Sequence, residues 1–160
     1  MKVINIHRRI INQSKSNVGA VFNTLATHND AIWPIEKWPA IKFKEGVKVG
    51  SKGGHGPIRY AIKDYKKGEL IRFSFFKPLG FNGIHELYLN EISNEETEIV
   101  HRIKMSTSFW ASLQWIIAIR WLHDALIEDA FDKLENHFSV EKKSTKHSFW
   151  VVILRSKYEK

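Results

Sequence analysis

The sequence of 160 residues contains no cysteine. Disulfide bonds, thiolate metal sites and cysteine nucleophiles are therefore excluded, and we expect a cytoplasmic protein. The segment Met1–Arg9 has no apolar stretch of about 7–15 residues, which is the mark of a secretory signal. The chain also lacks any run of about 18 apolar residues, so no membrane-spanning helix is expected.

Acidic residues are fewer than basic ones: the chain has 17 aspartates and glutamates and 25 lysines and arginines, which gives a formal charge of +8. Such an excess can attract nucleic acid, an anionic lipid surface or an acidic small molecule. The basic residues are spread along the chain, with small clusters at Lys63–Lys67 and Lys142–Lys143. Because no arginine-rich helix or aromatic RNA-binding signature appears, we expect a solvated basic surface and no nucleic-acid partner.

The first part of the chain predicts a strand, a helix and an irregular segment. Val3–Ile11 is rich in β-branched residues, and Asn17–Ala26 carries apolar residues at helical spacing. His28–Pro39 contains two prolines, which end any helix, and two tryptophans that need burial; we predict a short helix and a loop packed on an apolar surface. Val47–Ser51 is a candidate strand, and the glycines of Lys52–Pro57 predict a turn.

Four strands and one long helix follow. The predicted strands are Ile58–Tyr65, Glu69–Phe76, Gly83–Ile92 and Glu96–Thr107. Their short connections favour an antiparallel meander, because parallel pairing needs longer crossovers. The helix is predicted from Ser108, a candidate N-cap, to Phe138, with His123 on its apolar stripe. This order predicts an α+β domain over residues 1–138, in which a curved antiparallel sheet closes over the long C-terminal helix.

Residues 139–160 form a separate extension, first polar and basic and then apolar in Ser148–Arg155. The apolar part is too short to span a bilayer. Docking on the protein's own body is the favoured interpretation, ahead of a sheet edge, a helix extension, a second subunit or a membrane surface. Phe109–Leu122 is apolar nearly all round, so something besides the sheet must cover it. The candidates are a homodimer partner, the C-terminal segment and lipid.

The order of elements resembles the START-like, or SRPBCC, superfamily, which includes polyketide cyclase/dehydrase-like and lipid-transfer proteins with a helix-grip fold. The segments that carry the resemblance are Val3–Asn12, Ser16–Ala26, Trp33–Pro34, Gly83–Leu89 and Thr97–Ile103. The resemblance implies an internal cavity, between the sheet and the long helix, for an apolar or amphipathic small molecule. It does not name the ligand, because one fold supports many functions.

Two histidines are the best polar candidates for this cavity. Strand alternation places His85 and Leu87 on one face, and His101 and Ile103 on one face of the next strand. A hairpin loop of Ser93–Glu95 sets Leu87 opposite His101 and His85 opposite Ile103, which makes the histidines diagonal neighbours about 5–8 Å apart. They can bind a ligand carbonyl or act as acid and base, or they are satisfied core histidines. No third ligand has metal-site spacing, so neither a metal nor a cofactor is predicted.

The remaining candidate ligand contacts come from several elements. With Leu87 and Ile103, they are Tyr60, Phe73, Phe75, Trp33, Trp110 and Arg120. The Tyr60 hydroxyl is a candidate hydrogen-bonding group, and Arg120 can meet a ligand carboxylate or extend outward to solvent. Trp33 and Trp110 lie in segments expected to frame the mouth of the cavity. For each aromatic residue, ordinary core packing is the alternative.

Three functions follow from these patterns. The first is a protein that binds or carries a lipid- or polyketide-like molecule. The second is a cyclase or dehydratase that uses His85 and His101 for proton transfer, although no serine–histidine–aspartate or paired-carboxylate arrangement can be assembled from the spacing. The third is a module that forms an oligomer or contacts a membrane surface through the tryptophan-rich helix and the C-terminal segment.

Overall fold

The structure, a computed structural model, describes residues 1–156. Its strands are β1 (Lys2–Ile11), β2 (Lys42–Phe43), β3 (Lys52–His55), β4 (Ile58–Lys66), β5 (Leu70–Lys77), β6 (Phe81–Ser93) and β7 (Glu96–Thr107). Its helices are α1 (Lys15–Phe22), α2 (Phe109–Gln114), α3 (Arg120–Phe138) and α4 (Phe149–Ser156), and a π-helical segment (Trp115–Ile119) joins α2 to α3. The predicted α+β architecture, a curved antiparallel sheet around a long C-terminal helix, is confirmed.

The seven strands form one antiparallel sheet in the order β1-β7-β6-β5-β4-β3-β2. The N-terminal strand therefore lies beside the last strand, and the other strands follow one another as a meander. In the β6–β7 hairpin Leu87 lies opposite His101 and His85 opposite Ile103, which is the predicted register. Period-2 alternation fixes this register, because a slip by one residue would turn the apolar face to solvent.

Two early elements differ from the predictions. Lys52–His55 is a strand, whereas Val47–Ser51, the candidate strand, contains turns. The reason is a close approach of backbones: a Cβ on Gly53 would lie 2.1 Å from the Lys42 carbonyl oxygen, and one on Gly54 would lie 2.0 Å from the Ile58 carbonyl oxygen. These glycines thus permit strand pairing, a role that glycine can have inside sheets.

Helix α1 is shorter than predicted, and residues 28–39 contain turns but no helix. Ser14 caps α1 by accepting a hydrogen bond from the Asn17 N–H at 3.3 Å. The Asp30 carboxylate accepts hydrogen bonds from the backbone N–H groups of Ile32 and Trp33 at 2.9 and 2.7 Å, which holds the following loop in a non-helical path. Trp33 is nonetheless buried, as its apolar surface requires.

The core lies between the concave face of the sheet and the inner stripe of α3. Ile127, Phe131 and Leu134 of this stripe are each at most 3% exposed, and they pack in one cluster with α1 and the central strands. Truncation of such a side chain typically costs about 2–5 kcal/mol of unfolding free energy. The packing of these side chains therefore fixes α3 against the concave face of the sheet.

The π-helical segment is the main feature of the long helix that the sequence did not predict. Ser108 caps the helix as expected, by accepting a hydrogen bond from the Ala111 N–H at 3.4 Å. A π-helical turn shifts the backbone hydrogen bonds, and it occurs often at functional sites. The Ile116 carbonyl here accepts a hydrogen bond from the Trp121 indole at 3.0 Å.

The C-terminal segment docks on the protein's own body. Helix α4 packs on α3 with Val151 and Leu154 buried, and the Trp150 indole donates to the Ile117 carbonyl of the π-helical segment at 2.9 Å. Residues 157–160 of the predicted extension lie outside the described residues. Within residues 1–156 no helix is both long and apolar enough to cross a bilayer.

Candidate functional site

A cavity of about 550 Å³ lies between the sheet, the π-helical segment, the loop before β2 and helix α4. Its volume falls in the range of about 300–1,000 Å³ that is usual for pockets that bind small molecules. Most of its wall is apolar, with contributions from Trp38, Pro39, Ile58, Phe75, Phe81, Ile103, Trp115, Ile119, Leu122 and Leu126. The polar side chains that line it are three histidines, His55, His85 and His123, together with Lys37, Gln114 and Arg155.

These three histidines and His101 form what we call the histidine cluster. The ring centroids of His85 and His101 are 5.8 Å apart, and those of His101 and His123 are 4.9 Å apart. Tyr60 connects His55 to the other rings, because its hydroxyl lies 2.9 Å from His55 Nδ1 and its ring centroid lies 4.7 Å from that of His85. A small inner pocket of about 40 Å³ adjoins all four histidines.

Three ring nitrogens of the cluster are buried without a hydrogen-bond partner among the described residues. They are His85 Nε2, His101 Nδ1 and His123 Nε2. Buried polar groups are nearly always hydrogen-bonded, so unpaired nitrogens beside a cavity are suited to a ligand. His85 and His101 are therefore not fully satisfied core histidines, which was the alternative to a binding role.

Burial keeps the cluster uncharged. Desolvation lowers the pKa of His85 and of His101 well below the ordinary value of 6.5, and it lowers the pKa of His55 to about 3. The pKa of His123 is also lowered by burial, against the opposing effect of Asp124. A neutral imidazole has one N–H donor and one acceptor nitrogen, so the tautomer of each ring decides whether its unpaired nitrogen can donate or accept a hydrogen bond.

Asp124 connects the cluster to β1. Its Oδ1 lies 3.3 Å from His123 Nδ1 and 3.0 Å from His7 Nε2, and it accepts a hydrogen bond from Asn5 Nδ2 at 2.9 Å. Burial would raise the pKa of Asp124, but the hydrogen bonds from His123 and His7 outweigh burial and lower it. Asp124 is therefore a carboxylate at neutral pH.

His7 carries the compensating charge. Its Nδ1 lies 2.8 Å from Glu128 Oε1, so both ring nitrogens face carboxylate oxygens and both must carry protons. Burial lowers the pKa of His7, but the hydrogen bonds to Asp124 and Glu128 outweigh it, and the pKa is raised. An imidazolium on β1 thus holds Asp124 in place on α3.

One group of three side chains within residues 1–156 has ligand atoms close enough for a metal ion: His7, His123 and Asp124, whose atoms lie within 4.8 Å of one another. These atoms are already paired as an ion pair and a hydrogen bond. A metal would have to displace protons from both imidazoles. His85 and His101 do not belong to such a group among the described residues.

The structure brings most of the predicted site residues together. His85, Phe75 and Ile103 line the main cavity. The inner pocket is lined by His85, His101, Phe73, Leu87 and Trp33. Tyr60 is fully buried and reaches the site through its contact with His55.

Two of the candidate contacts do not line either cavity. Trp110 is 71% exposed and does not line either cavity, because the first turn of α2 turns Ala111 inward instead. The Arg120 side chain is 56% exposed, lies 3.6 Å from Asp124 one helical turn later, and stacks on Trp121. Arg120 therefore extends outward to solvent, the alternative that the sequence had left open.

Sequence reasoning missed His55 and His123 as members of the site. His123 lies on the predicted apolar stripe of the long helix, which was a usable signal. His55 lies among glycines, in a segment that was interpreted as a turn. Both come from parts of the chain distant from β6 and β7, so local periodicity could not join them to His85 and His101.

Comparison with known proteins supports the fold. Neither a family model nor a curated protein matches the sequence. Norcoclaurine synthase from Thalictrum flavum, solved with dopamine and hydroxybenzaldehyde, is 13% identical with a TM-score of 0.65, over 88% of this chain and 90% of that one. CalU16 from Micromonospora echinospora is 12% identical with a TM-score of 0.60, over 99% of this chain and 92% of that one.

A third similar structure is a protein from Nitrosospira multiformis, which is 14% identical with a TM-score of 0.64, over 86% of this chain and 97% of that one. Identities this low bear on the fold and not on the activity. The shared architecture agrees with the resemblance noted in the sequence, in which a curved sheet grips the C-terminal helix. The chain therefore has a helix-grip fold.

Proposed function

We propose that this protein binds an apolar or amphipathic small molecule, lipid- or polyketide-like, with its polar end at the histidine cluster. The observation that carries the proposal is an apolar cavity of about 550 Å³ lined by His85 and His123, each of which has a buried ring nitrogen without a hydrogen-bond partner among the described residues. The apolar wall favours the body of the ligand through burial of its surface.

The polar end decides between ligands of similar shape. A buried polar group that is left unpaired costs about 1–3 kcal/mol, and a ligand that pairs with it recovers that cost. Three such nitrogens lie in the cluster. A ligand with one or two polar atoms at one end should therefore bind more tightly than a hydrocarbon of the same size.

A cavity-filling variant tests the proposal. Ala118 lines the cavity, whereas Ala20 is exposed on α1 and offers a matched control. The probe is the fluorescent dye 8-anilinonaphthalene-1-sulfonate, and native mass spectrometry of the purified protein detects retained lipids. We expect A118W to weaken dye binding by about tenfold or more, a loss of roughly 1.4 kcal/mol, and A20W to leave it unchanged. Equal affinity in A118W and the wild type, at similar melting temperatures, would refute binding in this cavity.

A proton-transfer enzyme is a second candidate, and one observation favours it. His123 lines the cavity, is held by a carboxylate and has a free Nε2, as a general base requires. The base would therefore be His123 rather than the predicted pair of His85 and His101. In the reaction, Nε2 takes a proton from a carbon beside a ketone, and the electron pair moves onto the carbonyl oxygen to form an enolate. A proton from the imidazolium then returns to that carbon, and the ketone is restored.

Deuterium exchange tests this second candidate. The probe is 1-tetralone in D2O, followed by proton NMR of its α-hydrogens. We expect the wild type to accelerate exchange by at least about tenfold over buffer, and H123F to abolish the acceleration. Exchange at the same rate in H123F would exclude His123 as the base.

A further inference from the structure

The hydrogen-bonding character of the cavity's polar end is set by a chain of contacts from β1. His7 faces carboxylates through both ring nitrogens, so it is an imidazolium, and Asp124 beside it remains a carboxylate. A carboxylate oxygen can only accept a hydrogen bond. His123 Nδ1, 3.3 Å from Asp124 Oδ1, must therefore carry the proton.

The consequence falls on the other nitrogen of the same ring. A neutral imidazole has one proton, and with that proton on Nδ1 the Nε2 atom of His123 is an acceptor. Nε2 is buried and has no partner among the described residues, and the ring lines both the main cavity and the inner pocket. Resting on the proposed function, we infer that the cavity selects a ligand with a hydroxyl, as in a phenol, enol or alcohol, which donates a hydrogen bond to His123 Nε2.

Matched probes test this inference. The hydroxyl donor is 2-naphthol, and 2-methoxynaphthalene has nearly the same shape without a donor. We expect the wild type to bind 2-naphthol at least about tenfold more tightly, because a missing partner leaves Nε2 unpaired. In H123F the two affinities should lie within about twofold of each other.

A second pair of variants separates the role of Asp124 from a general loss of structure. In D124N the amide can donate to His123 Nδ1, which moves the ring proton to Nε2 and should abolish the preference for 2-naphthol. E128Q also removes a carboxylate from His7 but does not touch His123, so it should keep the preference. Nitrogen-15 NMR of the wild type, which needs no variant, should show a protonated Nδ1 and an unprotonated Nε2 on His123.

The outcomes distinguish the inference from the proposed function. Equal binding of both probes by the wild type, or a proton on Nε2, would overturn the inference and leave cavity binding intact. If the wild type binds neither probe and retains no lipid, the proposed function fails as well.

A different observation concerns the outer surface around the cavity mouth. Six large apolar residues there are 41–86% exposed, and we call them the apolar rim: Leu79, Phe109, Trp110, Leu113, Ile117 and Trp150. Leu113 and Ile117 also line the cavity, so the rim is continuous with its interior. The contact of the Ser108 N–H with the Gly80 carbonyl at 3.0 Å brings the turn that holds Leu79 to the start of α2.

Basic residues predominate in the segments that form the rim. The segments that form it, residues 70–85, 99–123 and 148–156, contain no aspartate or glutamate. Their basic residues include Lys77 and Arg155, in a chain whose formal charge is +8, and Arg120, which lies 3.6 Å from Asp124 just beyond the second segment. Exposed indoles beside cations are typical of surfaces that contact the headgroup region of bilayers. We propose that the apolar rim docks on an anionic membrane surface, with the cavity mouth toward the lipid.

Vesicle binding tests this second proposal. The probes are phosphatidylcholine vesicles with and without about 30% phosphatidylglycerol. We expect the full chain to sediment with the anionic vesicles, and F109S/W110S to lower the bound fraction at least about tenfold. I4S/I10S, which changes two isoleucines that are 69% and 52% exposed on β1, is the matched control and should bind normally. Failure to bind anionic vesicles, equal binding by F109S/W110S, or a dimer in light scattering that the same variant dissociates would overturn it.

Discussion

Acidification should destabilise this protein through its buried neutral histidines. The pKa values of His85 and His101 are lowered by desolvation, and each ring is 6% exposed. A group whose pKa is lowered in the folded state stabilises that state fully above the unfolded pKa, here 6.5. The stabilisation is lost as the pH falls from that value toward the folded pKa, because only the unfolded chain takes up protons.

The magnitude follows from proton linkage. Between about pH 7 and about pH 5, one histidine that titrates only in the unfolded state lowers the free energy of unfolding by about 2 kcal/mol. His85 and His101 together give about 4 kcal/mol, and His55, with a pKa of about 3, acts in the same direction. His7 has a raised pKa and acts in the opposite direction, but over this window its offset is less than about 1 kcal/mol. The expected net loss is a large part of a typical stability of about 5–15 kcal/mol.

Urea denaturation at the two pH values measures this loss, with the fluorescence of the six tryptophans as the signal. H85Q and H101Q keep a hydrogen-bonding side chain that does not titrate, and each should reduce the difference between the two pH values by about 2 kcal/mol. H28Q removes a histidine from an exposed turn and serves as the control. A wild-type difference below about 1 kcal/mol, or an equal difference in H85Q and H101Q, would refute the reasoning.

Three further substitutions test the framework around the site. D129N should lower the free energy of unfolding by about 2–3 kcal/mol in urea denaturation, because the buried Asp129 carboxylate accepts hydrogen bonds from Lys37 and Trp38, both at 2.8 Å; an unchanged stability would contradict this. G53A should cost about 1–3 kcal/mol in the same assay, since its Cβ would meet the Lys42 carbonyl at 2.1 Å, and the pairing of β2 with β3 should weaken in hydrogen exchange. S108A should cost about 1 kcal/mol by loss of the helix cap, visible as a lower melting temperature.

The sequence predicted the sheet better than the segments before it. Alternation along β6 and β7, with a short loop between them, was enough to place His85 opposite Ile103. Such pairing is local in the chain, so periodicity and loop length determine it. The strand Lys52–His55 was misinterpreted because glycine usually marks turns, whereas Gly53 and Gly54 here allow three backbones to approach. That reason lies in neighbouring strands and is not visible in the segment itself.

In the candidate site, too, local contacts were predicted from the sequence and long-range contacts were not. His85 and His101 were predicted as neighbours because they belong to one hairpin. His55 and His123 join them only through the wrapping of β3 and α3 around the core, a long-range arrangement that no local pattern specifies. The sequence left the orientation of Arg120 open for a related reason: the direction of a long side chain at the edge of an apolar helix depends on its neighbours, here Asp124 and Trp121.

Ion pairs between β1 and α3 neutralise charged groups of these two elements close to the histidine cluster. Arg9 binds Asp132 and Glu135 at 3.0 and 2.7 Å, and His7 binds Asp124 and Glu128, so these charges are paired on the outer side of the helix. Of these four carboxylates in the described residues, Asp124 is the one hydrogen-bonded to a cavity residue, His123, and its oxygen can only accept. A carboxylate that lacked the His7 imidazolium would be costly to bury and would take up a proton more readily. His7 lines no part of either cavity among the described residues, yet in the proposed arrangement it determines which His123 nitrogen meets the ligand.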